Sequence, residues 1–432
     1  MKKSRCDASG YLPLSLKEAT NILSGKDIYI WGAGQKGRGF KQALERNGFC
    51  VENFIDKSSD LIGTSYQGLE VLDPVKVLQN NSKDKFIFTA SVASKNNQMF
   101  KECARFGLKK KVDFDDIQSF SPFYPSIDIT GLCNLKCLSC PRSREDETFG
   151  ATGYMNFELY KKIIDKMVVD MPFLYLVDLY QWGEPILHPD ISRIVEYNNK
   201  LGLASGLSTN LNSIRKLDEV LSKKPAQLRV SLSGASKETY DVTHTGGKWK
   251  RVERNMHTLG ETVKKYDGFT LIEVYFHVYK DSVKEAIKIK KICEKYKFNF
   301  HTTIAMLLPE FALDYKEGKG LTPQAKKAND LMLIDIDKLI KEGKRDDEKN
   351  CLLTRCLPNV LWDGSVANCC NYAAPKPLYT SYLDVPFKEI ELSRRESELC
   401  NNCQKHSLHR YFNPQHYDGF IKEKLDEVHV AG

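Results

Sequence analysis

The sequence predicts an α/β protein in three parts: a doubly wound parallel sheet, then a partial (β/α)6 barrel, then a small cysteine-rich extension. Three observations carry that prediction. A glycine-rich turn, Gly32-Ala33-Gly34-Gln35-Lys36-Gly37, joins a short apolar strand to a helix. Strand-then-helix units follow one another from Tyr124 to Glu310. Seven of the 13 cysteines fall in two tight groups: Cys133, Cys137 and Cys140, then Cys369, Cys370, Cys400 and Cys403.

A chain of 432 residues exceeds one ordinary core, so more than one packed unit is expected. Hydrophobic residues at 41% and charged ones at 28% are globular proportions. No apolar run approaches the ~20 residues that span a bilayer. The basic start, Met1-Lys2-Lys3-Ser4-Arg5, is followed by no apolar stretch, so a cytoplasmic protein is expected. Lys plus Arg is 64 against 56 for Asp plus Glu; an excess of +8 over so large a surface does not argue for a nucleic-acid partner. In a reducing compartment, abundant cysteine reads as metal-binding or catalytic sulfur. Cys6, Cys50, Cys103 and Cys293 are scattered and read as small buried hydrophobes.

The first domain is expected over residues 1–120. Ile28–Trp31 reads as a strand and runs into the glycine-rich turn. A helix follows with Phe40, Ala43 and Leu44 on one face, stopped at Asn47-Gly48. Val51–Ile55 is a second strand ending at Asp56, Phe86–Thr89 a third, and Met99–Phe106 a further helix. This is a Rossmann-like arrangement. Gly32, Gly34 and Gly37 would let backbone approach a phosphate at the helix N-terminus, and Asp56 could hold a ribose hydroxyl. The competing reading is a domain of the same shape that serves as a docking platform. The pattern YIxGAGxxG…GFxVxxFIDK resembles the small nucleotide-binding domains of bacterial sugar-modifying enzymes. That resemblance implies a nucleotide or nucleotide-sugar ligand here.

The second domain, residues 121–315, repeats strand and helix. Strands are expected at Ser126–Ile129, Leu174–Leu179, Ala204–Leu207, Leu228–Leu232, Leu271–Val278 and Phe300–Ile304. Helical runs include Phe157–Val169, capped by Asn156, and Val283–Tyr296. Such a succession suggests a TIM-like barrel, complete or partial, with its site at the C-terminal ends of the strands. Residues 316–350 read as a helical connector, and 351–432 as the cysteine-rich extension.

Cys133-x3-Cys137-x2-Cys140 directly follows the first barrel strand. Three thiolates are one short of a closed tetrahedral site, and an iron–sulfur cubane held by three would leave one iron open. Here the chain resembles the radical S-adenosylmethionine enzymes, from Pro125 to about Glu310. The resemblance implies that Cys133, Cys137 and Cys140 hold a [4Fe-4S] cluster whose open iron binds S-adenosyl-L-methionine. It further implies a 5′-deoxyadenosyl radical that abstracts hydrogen from substrate, and a flavodoxin- or ferredoxin-like electron donor. Gln181-Trp182-Gly183-Glu184-Pro185 resembles the family's GGEP element, which assigns Gly183 and Glu184 to the methionine ammonium. Ser208-Thr209-Asn210 ends the third strand, where Ser208 and Asn210 could bind ribose or carboxylate. Ser231 and Ser233 close the fourth strand. Related enzymes carry an acid where Ser233 stands, and a basic residue near the position of His244. His277 faces the same rim, and Ser139 replaces the aromatic residue common beside the third cysteine.

Cys356-x12-Cys369 followed by Cys400-x2-Cys403 gives four thiolates in two pairs, and Trp362-Asp363-Gly364-Ser365 between the first two reads as a hairpin turn. Four ligands close a site, whether structural zinc or a cluster. The stretch WDGSVxxCC resembles the SPASM or twitch extensions of radical S-adenosylmethionine enzymes, which implies one auxiliary [4Fe-4S] cluster. Cys370 competes with Cys369 as a ligand, and Cys351 with Cys356.

The combination points to oxidation or epimerisation of a small sugar, sugar-nucleotide or aminocyclitol-like substrate. A peptide maturase is the second reading, set apart by the GAGxxG start where such enzymes carry a winged-helix clamp. A catalytically silent metal-binding scaffold is the third.

Overall fold

The computed structural model describes residues 13–80, 84–91, 93–143, 152–267, 269–343, 351, 353, 358–373, 376–411 and 423. Two sheets organise it. The first contains β1 (Asp27–Trp31), β2 (Val51–Ile55), β3 (Ser65–Tyr66), β4 (Leu69–Leu72), β5 (Lys85–Thr89) and β6 (Phe114–Asp116), in the order β3-β4-β2-β1-β5-β6. Every pairing is parallel except β3 with β4. The sheet is therefore mixed, a correction to the wholly parallel expectation. The hairpin escaped notice because β3 spans Ser65–Tyr66 alone and carries no alternation to read. Its turn is Gln67-Gly68, both at positive φ. The helix after β5 also begins earlier than expected, running Ala93–Arg105.

The second sheet holds the barrel strands β7 (Ser126–Ile127), β8 (Leu176–Asp178), β9 (Ala204–Thr209), β10 (Gln227–Leu232), β11 (Leu271–Val278) and β12 (Asn299–Ile304), all parallel. It continues past β7 into β13 (Asn359–Val360) and β14 (Val366–Ala367), an antiparallel pair joined through Trp362-Asp363-Gly364-Ser365. The hairpin of the cysteine-rich segment thus extends the barrel sheet itself. Val283–Tyr296 is not one helix: a 3-10 turn over Lys280–Glu285 precedes the α-helix Ala286–Tyr296. The connector region forms helices Pro309–Lys316, Pro323–Leu331 and Ile336–Gly343, whose apolar faces share a core with Leu138 and Leu408.

Alternation along the barrel strands sets what faces where. On β10, Leu228, Val230 and Leu232 are buried against the outer helices, while Gln227, Arg229 and Ser231 are half-buried on the other face. On β11, Ile272, Val274, Phe276 and Val278 are buried, and Glu273, Tyr275 and His277 alternate with them. With a period of two, every second residue points to the lumen, and here those residues are polar. A closed TIM barrel packs its interior with branched apolar side chains; this one keeps a polar interior.

The N-terminal domain docks onto the barrel through the helix Gln35–Arg46, which follows the glycine-rich turn. Arg46 donates to the carbonyls of Pro172, Leu174, Leu201 and Gly202. Gln35 donates to Phe269 O at 2.6 Å, and the Arg38 guanidinium lies 4.2 Å from the centroid of the Phe269 ring. Gly39 lies against Tyr175, where a Cβ would come within 3.1 Å of the carbonyl oxygen. Phe173 and Tyr175 belong to the same apolar core as Phe40 and Phe88. Among the described residues no helix is long and apolar enough to cross a membrane.

Candidate active site

The three-cysteine loop leaves β7 and passes over the C-terminal ends of the barrel strands. Its backbone is pinned by Lys136 N to Thr245 O at 2.9 Å and Leu138 N to Thr243 O at 3.0 Å. Cys133, Cys137 and Cys140 sense one another electrostatically, and burial pushes all three thiols up, Cys140 to about 12. Buried and neutral as thiols, they would lose their protons on binding a metal centre, which couples binding to proton release. Among the described residues no three His, Cys, Asp or Glu side chains converge as a single ion would require. A cubane takes each thiolate on a different iron, so a donor set of three separated thiolates fits that group better than a mononuclear site.

Two buried carboxylates fix the loops around this one. Glu184 accepts the Asn210 N–H at 2.8 Å and the Ile186 N–H at 3.4 Å, so both of its oxygens engage backbone; burial pushes it up to about 7. It is 3% exposed and ties the loop after β8 to the end of β9. Asp128, just past β7, accepts N–H groups from Gln181, Trp182 and Gly183 at 3.2–3.3 Å. Sequence reasoning missed Asp128. The available signal was an acid inside the apolar run Ser126-Ile127-Asp128-Ile129, since a buried carboxylate must be hydrogen-bonded. A Cβ on Gly183 would fall 1.7 Å from Thr130 O, so only glycine lets the 181–185 loop lie this close to the cysteine loop.

Asn210 donates to Asn134 Oδ1 at 2.9 Å and reaches Cys133 Sγ at 3.8 Å, which ties the β9 end to the cysteine loop. Ser208 lies one layer deeper, in register with Arg229. Ser233 Oγ is 2.7 Å from both Thr243 Oγ1 and His244 Nδ1. The His244 ring stacks on Tyr240, with centroids 4.4 Å apart. Burial, and then His277, push His244 down to about 3, so its imidazole is neutral at ordinary pH.

These elements surround a cavity of about 660 Å³. Cys137 and Cys140 line it together with Ser231, Ser233, His244, Arg229, Tyr275 and His277. Asn371, from the cysteine-rich segment, lines it as well. Gln181 Nε2 donates to Cys370 O at 2.7 Å, joining the 181–185 loop to that segment.

Cys351, Cys369, Cys400 and Cys403 line a second, smaller pocket with Arg394. Arg394 is 2% exposed and donates through Nε to Asn368 O at 2.9 Å. Cys369 is held down at about 6, first by its hydrogen bond with Cys370, with the nearby Arg394 charge adding to the effect. A buried guanidinium needs a buried negative charge. Four thiolates around a [4Fe-4S] cluster would supply one, and since among the described residues no three of these side chains converge as a single ion requires, the donor set fits a cluster better than zinc. Cys356 lies outside the described residues.

In the N-terminal domain, Asp56 Oδ2 accepts the Ala33 N–H at 3.0 Å and Oδ1 accepts the Ser58 N–H at 3.0 Å. Gly32 has φ +129, and a Cβ on Gly37 would meet Gly32 O at 2.1 Å. Gly34 is the helix N-cap, and a Cβ there would have no neighbour within 4 Å. These glycines follow a strand of the other sheet from the one that carries the three-cysteine loop.

Residues 127–288, which contain the cysteine loop and strands β8 to β11, match the model described as Radical SAM superfamily. Over those residues the barrel is similar to the radical SAM superfamily. A curated relative, the tungsten-containing aldehyde ferredoxin oxidoreductase cofactor-modifying protein of Pyrococcus furiosus, is 29% identical over 228 residues, 51% of this chain and 58% of its own length. The chain therefore spans little more than half of that relative. An uncharacterized protein of Methanocaldococcus jannaschii is 24% identical over 244 residues, 54% of this chain and 75% of its own. Among solved structures, anSMEcpe with bound AdoMet is 18% identical with a TM-score of 0.43, covering 72% of this chain and 98% of its own. SuiB of Streptococcus suis bound to S-adenosylmethionine is 14% identical with a TM-score of 0.41, covering 69% and 76%. BtrN in complex with AdoMet and 2-DOIA is 14% identical with a TM-score of 0.32, covering 71% and 88%.

Proposed function

We propose that the chain is a radical SAM enzyme that oxidises or epimerises a small polyhydroxylated substrate, a sugar, sugar-nucleotide or aminocyclitol-like molecule. The observation that carries this reading is the polar barrel interior. The radical SAM domain leaves a cavity lined by Arg229, Ser231, Tyr275, His277 and His301 where a closed barrel would have apolar packing. Hydroxyl-rich substrates need such convergent donors and acceptors.

Cys133, Cys137 and Cys140 would hold the [4Fe-4S] cluster, and Ser231, Ser233, Asn210 and the 181–185 backbone would seat S-adenosyl-L-methionine. When bound, the pair supplies a 5′-deoxyadenosyl radical able to take a hydrogen atom from substrate. The protein's own residues do the rest. Asp128 and Glu184 hold the loops in register through backbone N–H groups. His244, neutral and stacked on Tyr240, contributes a hydrogen-bonding edge and no charge. Cys369, Cys400 and Cys403, with Cys351 or Cys356, would hold the auxiliary cluster. The segment Cys369-Cys370-Asn371 runs from that pocket to the cavity wall, so a cluster held there would lie near the substrate and would supply a one-electron acceptor, which favours oxidation. A nucleotide at Gly32, Gly34, Gly37 and Asp56 belongs to the same proposal.

Anaerobic incubation of the iron-loaded protein with S-adenosylmethionine and dithionite tests the reading. It requires 5′-deoxyadenosine as product; methionine without 5′-deoxyadenosine, or no turnover, overturns it.

A further inference from the structure

We infer that the substrate of this cavity carries an anionic group, a carboxylate or a phosphate, held by Arg229; the inference rests on the radical SAM reading above and names its substrate class.

Arg229 is the one permanent charge on the cavity wall. No aspartate, glutamate or lysine lines the cavity with it among the described residues. Nor does any carboxylate among them lie within ion-pairing distance of its guanidinium: Glu273, its register partner on β11, forms no ion pair with it, and Asp178, two strands away on β8, senses the charge from farther off. The groups in direct contact with Arg229 are uncharged, while Glu273 lies against His301 at 3.5 Å. His277 Nδ1 faces the Leu232 carbonyl at 3.1 Å and must donate to it, which leaves Nε2 as an acceptor, 3.5 Å from Arg229 Nη2. The guanidinium lies over the Tyr275 ring, 4.1 Å from its centroid, and Tyr275 stacks in turn on His301. The Tyr180 hydroxyl is a further hydrogen-bond partner. Tyr275, His277 and Tyr180 hold the guanidinium in place, and among the described residues neither nearby carboxylate, Glu273 or Asp178, forms an ion pair with it. Planar recognition of carboxylate or phosphate is what arginine does better than lysine.

Depth separates this site from the cofactor. Arg229 precedes Ser231 by two residues on the same strand face, roughly 7 Å lower at about 3.3 Å per residue. S-adenosylmethionine is expected at the strand ends beside Ser231 and Ser233, so an anion on Arg229 would lie beneath it in the lumen. An anchored charge there would also orient the rest of the molecule toward the cysteine loop.

The test is calorimetric titration of iron-loaded protein, with S-adenosylmethionine present, using glucuronate, glucose 6-phosphate and neutral glucose as probes. At least one charged probe should bind about tenfold or more tightly than glucose. R229Q should abolish that preference and R229K should keep part of it. Preference for glucuronate assigns a carboxylate, and preference for glucose 6-phosphate assigns a phosphate. Equal binding of all three, or no binding of either charged probe, overturns the inference. So does a tenfold loss of S-adenosylmethionine affinity in R229Q, which would assign Arg229 to the methionine carboxylate instead. If the charged probes bind as expected and the wild type makes no 5′-deoxyadenosine, the radical SAM reading fails while the anion site stands. Should R229Q not fold, R229K against wild type decides, because a shared preference for the same charged probe is required of both.

Discussion

Glu184 and Asn210 stand at the ends of neighbouring barrel strands, and the carboxylate of one accepts the backbone N–H of the other at 2.8 Å. Asn210 also reaches the cysteine loop through Asn134. The pair therefore couples three loops that would have to hold still around a bound cofactor. Glu184→Ala leaves the N–H groups of Asn210 and Ile186 buried without this acceptor, at a cost of about 1–3 kcal/mol. The expected outcome is a lowered denaturation midpoint and weaker S-adenosylmethionine binding in titrations. Unchanged affinity would show that the tie is structural alone.

Asp128 gives a pH dependence. Burial pushes it up to about 6 in the folded state, against the pull of the N–H groups of Gly183, Trp182 and Gln181. The folded state thus holds a proton that the unfolded chain has already released. Stability from this group is fully present below about pH 4, the ordinary aspartate range, and is lost as pH rises through about 6. Urea denaturation of metal-free protein should show a fall on the order of a few kcal/mol across that window. Asp128→Asn flattens the slope without removing it, because Asp178 and Glu184 are shifted in the same direction. A steeper slope in the variant would contradict the assignment.

Arg394 lies among the thiolates of the second pocket with its Nη1 buried and unpartnered. A positive charge beside an iron–sulfur centre favours its reduced form. Arg394→Gln is expected to lower the reduction potential of one of two clusters in a titration followed by electron paramagnetic resonance. The potential of the other should not move.

Cys369 lines that pocket and Cys370 does not. Cys369→Ser should therefore remove about four iron per chain and Cys370→Ser none. Equal losses would mean that the pair shares the ligand role.

Much of the barrel was legible because its strands alternate. The period of two in Leu271–Val278 marks both the strand and its polar face, and the helix starting after Asn156 announces itself by its cap. The cysteine loop was legible because metal-ligand spacing is local. What stayed hidden depends on distant partners. Asp128 has no partner visible in the sequence, because the N–H groups it accepts come from the distant 181–183 backbone. Arg229 reads as one charge among many until the fold shows it to be the charged side chain that lines the cavity among the described residues. The β3–β4 hairpin is too short to leave a periodic trace. The ties of Asp56 to the backbone of Ala33 and Ser58 likewise depend on the folded turn.

Iron and acid-labile sulfide in anaerobically purified protein, measured beside a variant lacking Cys133, Cys137 and Cys140, bear most directly on the whole account. About eight iron per chain is expected, falling to about four in the variant. Stoichiometric zinc with no iron, or a variant that keeps every iron, would contradict it.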